Sequence, residues 1–139
     1  MMNLRVKNLI ALFLLCCLPA VAQAGVGTYV CKILQVVELS DDGAIVEHKG
    51  IWKTRIGESF TVNRTTGEMI GHPFGTEGWL GGVKVLNRGG NGNGYKALVL
   101  SGQPNVSVKY IYIAEHNKSP SKQFWGSGDD QVIFSGMCL

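Results

Sequence analysis

Two cysteines, Cys31 and Cys138, constrain this 139-residue chain more than any other feature. The remaining pair, Cys16 and Cys17, falls in an N-terminal segment laid out like a secretory signal. Arg5 and Lys7 supply its positive region, residues 9–21 its apolar run, and Ala22-Gln23-Ala24 a small-residue cleavage site. The apolar run is short for a membrane span. Leu15 precedes Cys16, where lipidation wants a small residue, so both cysteines are expected to leave with the signal. The expected products are a signal over residues 1–24 and a single domain over 25–139. That domain is periplasmic or secreted, with a bacterial envelope favoured, and has no stable membrane span after signal removal. In an oxidising compartment an isolated cysteine pair closes a disulfide. Cys31 lies near the start of the mature chain and Cys138 is next to last, so the bridge ties the first strand to the last.

Between these points the apolar pattern has the period of strands. Residues 96–115 read as two strands joined by a turn at Ser101-Gly102-Gln103-Pro104-Asn105. The second arm is dense in β-branched and aromatic residues (Val106, Val108, Tyr110, Ile111, Tyr112, Ile113) and is apolar on both faces, which places it inside a sheet with neighbours on both sides. Residues 29–39 form the first strand, with Tyr29, Cys31, Ile33, Val37 and Leu39 assigned to one face and Gln35 interrupting it. Asp42-Gly43 and Thr66-Gly67 mark turns. Further strands are expected over residues 44–48, 50–55, 58–64, 68–71, 83–88 and 131–138, with turns at 89–94 and 126–130. No sustained helical period follows the signal. The expected fold is all-β: a small antiparallel meander barrel of roughly eight strands, closed by the disulfide between first and last strands.

Chemistry is sparse. His48, His72 and His116 do not fall at metal-ligand spacing and read as surface residues. Asp41-Asp42 lacks the ordered oxygens of a calcium loop. The glycine run at 89–94 leads into a strand, and no Lys-Ser/Thr pair closes it, so it is a hairpin loop and not a phosphate cradle. GxSxG is absent, and no carboxylate pair stands out from the other acidic residues. No catalytic residue, metal or cofactor is assigned. Without Arg5 and Lys7 the domain is nearly neutral, which argues against a nucleic-acid partner. Candidate binding residues are the large aromatics of the loops, Phe74, Trp79 and Trp125. The loop over residues 72–82 has two readings: its rings pin it to the barrel, or they anchor a partner.

The Tyr29-Val30-Cys31 opening, Cys138 at the extreme C-terminus and the Phe124-Trp125-Gly126-Ser127-Gly128-Asp129 segment resemble the periplasmic and membrane-bound inhibitors of C-type lysozyme. The resemblance implies a small antiparallel barrel that blocks the lysozyme cleft with a Ser-Gly-x-x-Tyr loop and a lysine near the late aromatic segment. Here Ser101-Gly102 is followed by Gln103, Pro104 and Asn105, and Gly126 and Ser127 stand where the lysine is expected, so no inhibitory residue carries over. The expected function is an exported, non-catalytic β-domain that binds an envelope or host protein or a small ligand. The alternatives are a lysozyme inhibitor-like protein, a hydrolase whose residues converge only in the fold, and a self-associating envelope component.

Overall fold

The computed structural model describes residues 27–77, 81–90, 92–102, 107–129 and 131–139; of Asp129 it describes the backbone. The expected signal, Trp79 and most of the 101–105 turn lie outside the described residues. The domain is all-β. Its strands are β1 Thr28–Leu39, β2 Ile45–Glu47, β3 Ser59–Asn63, β4 Met69–Ile70, β5 Val83–Gly90, β6 Asn93–Leu100, β7 Val108–Ile113, β8 Lys122–Asp129 and β9 Val132–Cys138. Eight of them follow one antiparallel path, β4-β3-β1-β9-β8-β7-β6-β5, and β2 pairs with β1 beside it. The sheet curls into a half-barrel. As expected, the β6–β7 hairpin lies inside the sheet, each strand having a neighbour on either side.

The disulfide follows from register. Val30 and Leu139 exchange both backbone hydrogen bonds, at 3.0 and 2.9 Å. The next pair along, Cys31 opposite Cys138, is therefore a pair without ladder bonds, where side chains come closest. Their sulfurs are bonded there, linking the first and last strands as neighbours in the sheet.

Three expectations need correction. The first concerns the faces of β1. The β1–β9 register shifts between Ile33 and Gln35, leaving Leu34 as a bulge. One extra residue reverses the alternation. Tyr29, Cys31 and Ile33 point into the core, but the next buried residue is Val36, while Leu39 is exposed. Gln35 does not interrupt the core face; it lies on the outer one, opposite Ser135.

The second concerns residues 50–55, expected as a strand. Ile51–Arg55 is a 3-10 turn, closed by Lys53 N–H donating to the Gly50 carbonyl at 3.1 Å. It brings Trp52 edge-on against Phe134, with ring centroids 5.9 Å apart. Packing of that indole overrides the strand preference of Ile51, Trp52 and Thr54.

The third concerns Gly126-Ser127-Gly128, expected as a turn. These residues continue β8, pairing with β7 and β9. A Cβ on Gly126 would lie 2.9 Å from the Phe74 ring, and one on Gly128 would lie 2.6 Å from the Phe134 ring. The glycines leave room for the Phe74 and Phe134 rings and, at Gly126, for the Tyr110 carbonyl; the chain does not turn there.

The interior is filled by these rings. Phe60, Phe74, Phe124 and Phe134 are buried and contact one another at centroid distances from 4.9 to 6.4 Å. Three of these four contacts are edge-to-face, a geometry that adds to the burial of apolar area.

A polar clasp holds the curl. Tyr29 donates its hydroxyl proton to Glu115 at 2.5 Å. Arg64 reaches Glu115 at 3.5 Å and the Arg88 carbonyl at 3.4 Å, and its guanidinium lies 5.1 Å from the centre of the Tyr29 ring. Tyr95 donates to the Asn63 carbonyl at 3.3 Å. These contacts bring the β3–β4 turn against β5, where a Cβ on Gly67 would meet Val83 at 2.6 Å. Burial pushes the Tyr95 hydroxyl up to about 12, partly offset by Arg64. Burial, then the bond to Glu115, raises Tyr29 further still.

A raised folded-state value means that stability is fully present below the ordinary tyrosine value of about 10 and is lost as pH climbs toward the folded value. Tyr95 alone is expected to remove on the order of 2–3 kcal/mol between about pH 10 and about pH 12. Urea melts across this window, with absorbance titration of the phenolates, check it. Ionisation of Tyr29 and Tyr95 below about pH 10 in the folded protein would contradict the prediction.

Candidate functional site

The candidate site is the outer face of β6, β7, β8 and β9. Strand alternation sends Ile111, Ile113 and Phe124 inward, which leaves Tyr110, Tyr112 and Trp125 on the opposite face. Register then brings them together. Tyr112 stands directly opposite Trp125, and Tyr110 sits opposite Ser127, one diagonal step from the indole. The Trp125 ring centroid lies 5.1 Å from that of Tyr110 and 6.2 Å from that of Tyr112. Tyr112 continues to His116, at a ring distance of 6.5 Å and a hydroxyl-to-Nδ1 distance of 3.3 Å. Gly94 makes room for this arrangement, since any Cβ there would strike the Tyr112 ring. Trp125 is 45% exposed. Partial burial raises the Tyr110 hydroxyl above its ordinary value, with Tyr112 adding to the effect.

The sequence-derived candidates separate. Trp125 stands in the centre of the outer aromatic row. Phe74 is 0% exposed and belongs to the core, so its ring pins the loop and is not accessible to a partner. Trp79 lies outside the described residues. Tyr110 and Tyr112 join the site without having been singled out. Their shared face was visible in the alternation of residues 108–112, but the register that sets them beside Trp125 was not.

Two adjoining grooves flank the Phe74 loop. One, of ≈ 440 Å³, is lined by Gly71, His72, Pro73, Gly75, Glu77 and Lys109. The other shares Gly71, Gly75 and Glu77 and adds Thr76. Lys109 donates to the Pro73 carbonyl at 2.8 Å. His72 and Glu77 line the same groove, yet no hydrogen bond joins them, so the base–orienter pairing of an acid–base site is not formed.

His48 is not the surface residue expected from sequence. Its side chain is 12% exposed and its Nδ1 is bonded to the Glu38 carboxylate. Its Nε2 is buried without a partner. Lys53 pairs with Glu47 at 2.6 Å and Arg55 with Glu58 at 3.0 Å, so these two cations are neutralised locally. Among the described residues no three His, Cys, Asp or Glu side chains converge as a metal site. No helix among them is long and apolar enough to cross a membrane. Compared with protein-family models, curated proteins and solved structures, the chain finds no significant match in any of the three.

Proposed function

We propose that the protein is an exported, non-catalytic β-domain that binds a macromolecule or small ligand through the outer aromatic face centred on Trp125. One observation carries this reading: Trp125 is nearly half exposed while flanked by Tyr110 and Tyr112, whereas all the described phenylalanines are buried. Stiff, amphipathic rings lose little entropy on binding and recur at the centres of interfaces. Export is supported by the layout of residues 1–24 and by the Cys31–Cys138 bridge, a bond that persists in oxidising compartments.

The test is capture from envelope extract and host secretions with the folded protein, beside Trp125→Ala. Capture of a partner by the parent and its loss from the variant is the expected result. A partner held equally by both proteins, or none held by either, would overturn the assignment of the face.

A narrower version is inhibition of C-type lysozyme. The segments that carry that resemblance lie on β1, β9 and β8, which are consecutive in the sheet. Lysozyme activity unchanged at a large molar excess of folded protein would remove this version and leave the broader one standing.

A further inference from the structure

The outer sheet face has a charge pattern as well as an aromatic row. Register lines up its residues in rungs across the strands. One rung runs Asn87, Lys96, Tyr112, Trp125, Ser135, Gln35. The neighbouring rung runs Lys84, Leu98, Tyr110, Ser127, Ile133, Val37. On the other side of the first rung, Gln123, Met137 and Lys32 follow one another. Three lysines thus frame three aromatic rings, and amides and hydroxyls fill the gaps. Four acidic side chains are engaged with partners of their own: Glu115 with Tyr29 and Arg64, Glu38 with His48, Glu47 with Lys53 and Glu58 with Arg55. Lys32, Lys84 and Lys96 form no ion pair among the described residues, so their charge is presented to solvent.

We propose that this face binds an acidic polysaccharide, with sugar rings stacked on Trp125 and its flanking tyrosines and the ligand's carboxylates met by Lys84 and Lys96. The inference rests on the binding role proposed above for the same face. A pyranose ring has an apolar C–H side that covers an aromatic ring and a polar rim that accepts hydrogen bonds from Gln35, Gln123 and Ser127. Complementarity of charge selects the acidic members. Single-stranded nucleic acid would use the same rings, but it relies on a dense cationic track along its backbone. A few scattered lysines on a nearly neutral domain do not supply that track.

The experiment titrates the folded, disulfide-bonded protein with polygalacturonate, following tryptophan emission and confirming by affinity electrophoresis. Fully methyl-esterified polygalacturonate and single-stranded oligothymidylate are run in parallel. Polygalacturonate is expected to bind, and the methyl ester to bind about tenfold more weakly, because it keeps the rings and masks the charge. Trp125→Ala is expected to lose about tenfold or more through stacking, and Lys84→Glu/Lys96→Glu a similar factor, strongest at low salt. Thermal melts of each variant establish folding, and Trp125→Phe is expected to restore part of the affinity. Equal binding of ester and acid would overturn the charge argument, and preference for oligothymidylate would overturn the ligand class. Failure of every polysaccharide, with Trp125-dependent capture of a protein retained, would overturn this inference alone. Loss of both would overturn the binding face itself.

Discussion

A Cys31→Ala/Cys138→Ala variant is expected to unfold with about 4 kcal/mol less free energy than the oxidised protein. The bridge spans a sequence separation of 107, and the chain-entropy model gives about 4.7 kcal/mol for a loop of that order. The alanines remove two buried sulfurs but leave the β1–β9 ladder, including the Val30–Leu139 pair, to form as before. Most of the effect therefore acts through the unfolded chain, which regains its freedom. For a domain of this size the melting temperature should fall by roughly 10–20 °C. Urea melts of the two proteins measure the difference. A gap below about 1 kcal/mol, or reactive thiols in the denatured but unreduced parent, would count against the bridge as the domain's main staple.

Phe74→Ala is the second large expected effect, at about 3–5 kcal/mol. Its ring touches Phe60 at 4.9 Å, Phe134 at 5.7 Å and Phe124 at 6.4 Å, and β8 carries glycine at position 126 to accept it. Truncation opens a cavity that strand residues cannot close, because the backbones on every side are fixed by ladder bonds. The loop over residues 71–77 should also lose protection from hydrogen exchange, since its anchor is gone. Trp125→Ala, by contrast, is expected to cost about 1 kcal/mol, from its cross-strand ring contacts with Tyr110 and Tyr112. Two aromatics that look alike as loop candidates are thus separated by denaturation alone. A Phe74→Ala cost below about 1 kcal/mol would show that the ring is not the anchor described here.

The comparison of Phe74 with Trp125 also shows what the sequence reveals. Local signals were reliable where turn chemistry is local. Gly43 and Gly67 adopt positive φ, as the Asp-Gly and Thr-Gly pairs require. The alternation of Tyr110 and Tyr112 with Ile111 and Ile113 gave both faces of β7. The cysteine pairing followed from there being only two beyond the expected signal. Three features depended on distant residues and were hidden. The Leu34 bulge lies in the pairing of β1 with the distant β9, so the inner face after Ile33 could not be read from β1 alone. Gly126 and Gly128 look like a turn until Phe74 and Phe134 are laid over them. The aromatic row needs the pairing of β7 with β8, which no alternation inside either strand specifies.

Both ends of the described domain meet on adjacent strands, Val30 hydrogen-bonded to Leu139 and the sulfur bridge one residue further in. This has a mechanical consequence. Tension applied between the two ends travels through Cys31 and Cys138 and bypasses the polypeptide between them. The terminal ladder bonds outside the bridge can peel, but the remaining strands carry no load while the bridge is intact. A partner pulling on the outer face of β7 and β8 against a tether at either end would instead strain the sheet itself. The domain is built to resist being drawn out by its ends and to yield, if at all, from the side.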